Sequence, residues 1–406
     1  MTDHARGREE RRPAAGGAAL AAWAIVLVTA CAAVAASHYT SRDPDSTLYS
    51  VMSARLVSQP VAAWIAPEWN GLWDKQGLFR EHPVGILVLP AILARLGYPP
   101  LQAAFAVGAA MSILSLLLLR ISVAPLVRWH EAIAVQWAAL VLPVAFTYRV
   151  RANQEYPVLA MTLFGLFALE RSRYRRGWIA GLMAAMCGLA FVKGVFVVFL
   201  PIVSVLWLLS IERADRGSDR WAWIGIGLAV LSVVAGAWLY EVMYVRAAGE
   251  SFLSFYLTDR IGENAGLTDG RGWSIGTKLY NIVWYTGRVV WFALPGSLVL
   301  LISASRARLA STPARRRLVF ALTTTAAYIG AMSVGANRAE RFIFPAFFIV
   351  GSAGAVVAMR RWPRVDRAAL RLASAAPYAL PLAWLGLFML TLATSQGLPY
   401  VEIWSS

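Results

Sequence analysis

The sequence predicts an all-α polytopic membrane protein. Of its 406 residues, 59% are hydrophobic and only 15% are charged, whereas a soluble domain is nearer half apolar and a quarter charged. The apolar residues come in blocks of roughly 20, the length at which an α-helix crosses a bilayer. Because a chain in lipid must satisfy its own backbone hydrogen bonds, these blocks are expected to be helices.

About eleven transmembrane helices are predicted from the apolar blocks. The segment 83–97, PVGILVLPAILARLG, is kept apart from them. Its apolar run of only about 14 residues favours an interfacial or re-entrant helix. The predicted spans lie approximately at 18–37, 101–120, 131–148, 155–170, 177–192, 194–211, 221–240, 287–305, 317–335, 342–359 and 375–395.

Arginine placement orients these spans. Arginines cluster in short segments between alternate spans, as at 171–176 and 360–371, and the positive-inside rule places such segments in the cytoplasm. The net charge of +16 therefore indicates membrane anchoring, and no nucleic-acid partner is expected. The N-terminus is then cytoplasmic, and the long loops 38–100 and 241–286 are exterior. Residues 1–17 are predicted to be a disordered tail before a single domain, 18–406, whose first span is a retained signal-anchor.

The first exterior loop begins with an acidic tip. Asp43 and Asp45 flank Pro44, where the first membrane helix should end. The next residues, STLYSVMSARL, carry apolar side chains at helical spacing, which predicts an amphipathic interfacial helix. An aromatic belt at headgroup depth is then expected from three tryptophans: Trp64, Trp69 and Trp73.

Glu81 and His82 stand directly before the short apolar segment. Together they are candidate ligands for a divalent metal ion, although a metal site normally takes three or more protein ligands. The alternative is a solvated helix start with an acidic residue near its N-terminus.

Short exterior turns also carry charge. Positive residues outside oppose the orientation rule and therefore need another reason, such as an anionic ligand. Arginines and lysines among carboxylates suit a phosphate held at the membrane surface beside a general base. Lys193 has the alternative of extending to the headgroups. The residues concerned are Arg149, Arg151, Glu155, Lys193, Arg260, Arg338, Glu340 and Arg341.

Four motifs, in this order, resemble the GT-C superfamily of membrane glycosyltransferases, and within it the aminoarabinose transferase and protein O-mannosyltransferase branch. PDSTLYSVMSARL is similar to the acidic motif of the first exterior loop, with Asp45 and Tyr49 in the positions of its Asp and Tyr, and Ser46 where a second acid is usual. EHPVGILVLPAILARLG is similar to a Lys-Pro-Pro segment with His82 in place of Lys. FVKG resembles a Thr-Lys-Gly turn and RFIFP an Arg-Tyr-hydrophobic-Pro segment.

The resemblance implies an inverting glycosyltransferase that uses a sugar on a polyprenyl phosphate and a lipid, glycan or protein acceptor. Asp45 is then the expected general base, with Asp43 as its substitute or partner. The donor phosphate is assigned to Lys193, Arg341, Arg260 and Arg338; sugar contacts to Tyr49, Glu155, Arg151 and Glu340; and a divalent metal, if one is used, to Glu81 and His82.

Two other functions compete with this hypothesis. A lipid or glycan transporter or flippase would place charged residues or broken helices near the bilayer midplane, but here the charges gather at the ends of the predicted spans. A membrane acyltransferase would need a His/Asp or Ser/His pair, yet His130 falls on the cytoplasmic side. The expected location is the cytoplasmic membrane, with the site on its outer face.

Overall fold

The computed structural model describes residues 16–397, apart from 42, 125–126, 211–218, 263–273, 305–311 and 336; the predicted tail lies almost entirely outside these residues. The all-α prediction is confirmed: the described part of the chain has no strand, only one isolated bridge between Glu68 and Leu78. The helices are α1 Gly16–Ala36, α2 Pro44–Leu56, α3 Gly85–Arg95, α4 Ala103–Val123, α5 Trp129–Leu140, α6 Pro143–Tyr148, α7 Glu155–Ser172, α8 Trp178–Lys193, α9 Phe199–Leu209, α10 Arg220–Ala248, α11 Phe252–Phe255, α12 Ile275–Phe292, α13 Gly296–Ala304, α14 Thr312–Ser333, α15 Phe344–Arg361 and α16 Pro363–Gly397.

The chain is a multi-pass membrane protein. Among the described residues, six helical runs are long and apolar enough to cross a membrane, or seven if the bent pair α12–α13 is one span. Each of the eleven predicted spans overlaps at least one helix among the described residues, although fewer than eleven helical runs there are long and apolar enough to span. The short helix α3 falls below the spanning length, as its sequence predicts.

Proline divides two of the predicted spans. The range 131–148 is broken between α5 and α6, where Pro143 begins the second helix. The range 287–305 is broken before Gly296, and the chain bends by 110° between α12 and α13. Proline has no backbone N–H to continue a helix and its ring crowds the preceding turn. Pro143 and Pro295 both stand at these breaks.

The apolar run from Trp178 to Leu209 is helical throughout but reverses direction near Gly194. Lys193, in the middle of the run, donates to Glu155 at the start of α7. Trp207, near its end, donates to Glu170 at the other end of α7. Helix α8 therefore runs antiparallel to α7, and α9 runs back parallel to it. This agrees with the two spans predicted there.

The segment between α1 and α4 encloses a small core of its own. Helix α2 packs on α3 and α4, and its apolar face, including Leu48 and Met52, is buried with Phe79 from the loop. Trp64 and Trp69 are also buried in this core, so they do not form the predicted belt, whereas Trp73 is exposed. Burial on the bundle gives the acidic tip of α2 a fixed support.

Candidate active site

The charged residues predicted for the exterior face converge on one end of the bundle. Tyr49, on α2, interacts electrostatically with Glu155, Glu81, Asp43 and Arg260, which come from three other segments of the chain and from the start of α2. Burial, together with these carboxylates, raises the pKa of Tyr49 well above its usual range. The phenol therefore remains a proton donor at neutral pH.

Asp43 is the N-cap of α2. Its Oδ2 accepts hydrogen bonds from the Ser46 backbone N–H at 2.9 Å and from the Ser46 hydroxyl at 2.6 Å. Its Oδ1 lies 3.3 Å from Nη1 of Arg151. Capping by an aspartate satisfies a backbone donor that the first helical turn leaves free, so both Asp43 oxygens are engaged within the protein.

Asp45 lies in the first turn of the same helix and forms an ion pair with Arg341. Arg341 precedes α15 and also interacts with Asp43. Both side chains of the ion pair are partly exposed, at 25% for Asp45 and 37% for Arg341. This pair is therefore the part of the acidic tip that a ligand from outside can reach.

The two arginines that were predicted on the exterior face, against the orientation rule, have separate partners. Arg149 is buried and donates from Nη2 to the Leu140 carbonyl at 2.7 Å, at the C-terminal end of α5. A cation is favoured at that end of a helix. Arg151 pairs with Asp43 and stacks over the Tyr148 ring, 4.8 Å from its centroid.

Glu155 and Lys193 form a buried ion pair between α7 and α8. Lys193 Nζ lies 3.1 Å from Glu155 Oε1, while Glu155 Oε2 is buried without a hydrogen-bond partner. Gly194 follows with φ +58°, and a Cβ there would lie 2.3 Å from the Tyr256 hydroxyl. Only glycine suits this turn, which holds the ammonium group at the site.

Glu81 and His82, the candidate metal ligands, have no third ligand beside them among the described residues. Glu81 is held by Lys75 at 2.6 Å and by Arg260 at 2.8 Å. Burial, with Lys193 and Arg260 nearby, lowers the pKa of His82 to about 3, and its buried Nδ1 has no hydrogen-bond partner. No group of three potential metal ligands occurs among the described residues, so this donor set does not fit a metal that needs three.

Glu340 and Arg338, predicted together, have different surroundings. Glu340 is buried and accepts a hydrogen bond from the Tyr148 hydroxyl at 3.1 Å. Arg338 is exposed and lies over the Tyr280 ring, 4.5 Å from its centroid. Glu340 thus belongs to the convergent cluster, and Arg338 lies towards its edge.

Three residues of the site were not predicted as site residues: Ser46, Tyr148 and Asn153. Ser46 could have been predicted from the sequence, because it stands where the motif usually has its second acid. Tyr148 and Asn153 had no such signal, since a tyrosine and an asparagine beside a turn are common in any membrane protein. Ser46 contacts Asn153 across 107 residues of sequence, a distance that no local pattern reports.

Comparison with known proteins identifies the fold. No protein-family model and no curated protein matches the sequence. ArnT from Cupriavidus metallidurans superposes with a TM-score of 0.60 in its apo state, at 17% identity over 93% of this chain and 78% of that one. Its complex with undecaprenyl phosphate gives 0.63 at 16% identity over 93% and 77%.

The archaeal oligosaccharyltransferases are more distant. The Archaeoglobus fulgidus enzyme in complex with Zn and sulfate gives a TM-score of 0.51 at 15% identity, over 91% of this chain and 53% of that one. AglB from the same organism, in complex with an inhibitory peptide and a dolichol-phosphate, gives 0.50 at 12% identity over 94% and 59%. This chain therefore spans little more than half of their length, and at these identities the likeness is one of fold.

Proposed function

Because the chain has the fold of the GT-C membrane glycosyltransferases, we propose that it is an inverting glycosyltransferase. It moves a sugar from a polyprenyl phosphate to an acceptor hydroxyl on the outer face of the cytoplasmic membrane. The observation that carries this proposal is the convergence of the Asp45–Arg341 and Glu155–Lys193 pairs at one end of a membrane bundle.

Two of the fold neighbours support a lipid phosphate as donor. ArnT is described with undecaprenyl phosphate and AglB with a dolichol-phosphate. A leaving phosphate needs fixed positive charge, which arginine and lysine supply. In this chain Arg341, Lys193 and Arg260 are available at the same end of the bundle, each beside a carboxylate.

The transfer is a single displacement. Asp45 takes the proton of the acceptor hydroxyl, and the hydroxyl oxygen attacks the anomeric carbon as the bond to the phosphate oxygen breaks. The phosphate leaves with the bonding electrons and is stabilised by Arg341 and Lys193. One displacement inverts the anomeric centre.

Other residues bind and orient the sugar in this proposal. Tyr49, kept protonated, donates to a sugar oxygen, while the unpartnered Glu155 Oε2 accepts from a sugar hydroxyl. Arg151 and Glu340 contribute indirectly: Arg151 pairs with Asp43, and Glu340 accepts a hydrogen bond from Tyr148. No step is assigned to a metal, because Glu81 already forms ion pairs with Lys75 and Arg260.

Mass spectrometry of lipids that copurify with the protein, followed by a transfer assay with the labelled donor, tests this function. We expect a polyprenyl-phosphate sugar in the extract and a glycosylated product. Asp45→Asn should lower transfer by about 10³-fold, within the range for a lost general base. Asp74→Asn, an exposed acid in the same loop, is the matched control and should retain transfer. A protein that binds the lipid and moves it between leaflets without cleaving it would be a flippase.

A further inference from the structure

We infer that Asp43, Ser46 and Asn153 form a buried clamp that positions Asp45, and that Asp43 is a positioning residue while Asp45 receives the proton. This inference rests on the proposed function and extends it by separating the roles of the two aspartates. It also assigns a role to two residues, Ser46 and Asn153, that carry no charge.

The clamp joins two distant segments through one hydroxyl. Ser46 is fully buried, and its Oγ lies 2.6 Å from Asp43 Oδ2 and 2.6 Å from Asn153 Oδ1. The same Oγ accepts a hydrogen bond from the Ala152 backbone N–H at 3.1 Å. The first turn of α2 is thereby tied to the turn between α6 and α7.

Counting protons defines the hydrogen bonding of the clamp. A serine hydroxyl has one proton to donate and two lone pairs, yet two oxygens lie at short distance. Asp43, beside Arg151, acts as an acceptor and takes that proton. The amide of Asn153 then faces Ser46 with its NH₂ group, the alternative orientation of the same planar group. Ser46 thus donates once and accepts twice, and its hydrogen-bonding capacity is filled.

Asp43 has little room for an acceptor hydroxyl. Its side chain is 12% exposed, half the exposure of the Asp45 side chain. An incoming hydroxyl would have to displace either Arg151 from Oδ1 or Ser46 from Oδ2. Asp45 has Arg341 as its partner at the open side of the site, and Arg341 can also turn to a phosphate.

The turn that holds the clamp is itself fixed to the bundle. At Gly108, on α4, a Cβ would lie only 2.6 Å from the Arg151 carbonyl oxygen, so helix and turn are in direct backbone contact. Asp45 immediately precedes Ser46 and inherits this fixed position. Because a displacement of 1 Å can cost about 10²-fold in rate, loosening the clamp should reduce turnover without changing the chemistry.

Exchanging the two groups around Ser46 tests the inference. Asn153→Asp places a second carboxylate next to Ser46, and we expect transfer to fall by about 10²-fold. Asp43→Asn keeps a good N-cap and should lower kcat by only about tenfold, with donor KM and the acidic limb of the pH profile retained. The double variant Asp43→Asn/Asn153→Asp restores one carboxylate and one amide and should recover most of the activity lost in Asn153→Asp. Asp45→Asn should lose the acidic limb.

The opposite pattern would overturn the inference. If Asp43→Asn abolishes transfer and the exchange variant is as inactive as Asn153→Asp, then Asp43 takes part in the chemistry. Thermal unfolding supplies an arm that needs no activity: Asn153→Asp should lower Tm and the exchange should restore it. An exchange variant with no recovery of Tm would refute the clamp. If the wild type transfers no sugar while Tm recovers, the proposed function fails and the clamp stands as a structural feature.

Discussion

Glu131 and Glu155 are both buried glutamates beside cations, at opposite ends of the bundle. Glu131 receives hydrogen bonds on both oxygens, from the backbone and side chain of Arg128 and from the guanidinium of Arg360. Glu155 has one ion pair, with Lys193, and its second oxygen has no partner. The first arrangement is saturated, whereas the second keeps an acceptor free inside the protein.

The neighbours of the two glutamates differ in the same way: those of Glu131 are hydrogen-bonded, and one near Glu155 is not. Beyond Glu131, Asp366 accepts from Arg128 and contacts His130, so α5, α15 and α16 are tied together. Around Glu155, the Nδ1 of His82 is also buried without a partner. A buried polar group without a hydrogen-bond partner costs free energy, so its presence in the folded protein calls for an explanation. A bound ligand that supplies the missing hydrogen bond is one such explanation. Saturated networks at one end hold the helices, and incomplete ones at the other are suited to binding.

Removing the cation of the Glu155 pair should have the largest effect. Lys193→Met leaves a buried carboxylate without its counter-charge, so we expect a loss of about 3–5 kcal/mol in the free energy of unfolding and loss of transfer. Adding Glu155→Gln should restore most of the stability, but not transfer. Thermal unfolding and the transfer assay measure the two effects separately. A double variant that regained transfer would show that Lys193 has no role beyond structure.

At the opposite end, Glu131→Gln should change stability alone. The substitution breaks charge-assisted hydrogen bonds to Arg128 and Arg360, and we expect about 1–3 kcal/mol of destabilisation. Transfer per folded molecule should equal that of the wild type. Glu68→Gln, at an exposed position, is the matched control. A fall in turnover for Glu131→Gln would contradict the division between the two ends.

His82 predicts a pH-dependent difference. Its pKa of about 3 in the folded protein lies below the value near 6.5 of an unfolded chain. The unfolded state therefore binds the proton first, and stability is lost as pH falls from about 6.5 towards 3. His82→Gln should remove this loss. Between pH 7 and 4.5 the free energy of unfolding of the variant should fall by about 2 kcal/mol less than that of the wild type.

Unfolding scans at the two pH values measure the difference, with the exposed His38→Asn as control. An unchanged pH dependence in His82→Gln would show that the imidazole is solvated rather than buried beside Lys193 and Arg260.

Arg338 should give the smallest effect. The residue is exposed and stacks on Tyr280, a contact worth about 0.5–1 kcal/mol. We expect Arg338→Ala to raise the donor KM about threefold at low salt, and less at high salt because exposed charges are screened. Arg338→Lys, which keeps the charge, is the matched comparison. Equal KM values for wild type and Arg338→Ala at low salt would exclude Arg338 from donor binding.

Much of the fold could be predicted because it depends on local properties. Run length separated α3 from the spanning helices, and the charge at Lys193 marked the reversal between α8 and α9. The breaks at Pro143 and Pro295 were not predicted, although proline marks both, because the hydropathy of the chain stays high across them. The burial of Trp64 and Trp69 was also missed, since an aromatic residue near a membrane has the same composition signal on a surface as in a small core.

The site could be predicted as a collection of residues but not as a set of partners. Hydropathy and charge act along consecutive residues, and they are enough to predict an all-helical membrane bundle with an acidic tip after the first helix. The contacts of Asp43 with Ser46 and Arg151, and of Asp45 with Arg341, follow from the packing of the helices and could not be predicted from local patterns. Contacts between residues more than a hundred positions apart depend on which helix ends pack together, and that packing depends on the whole bundle.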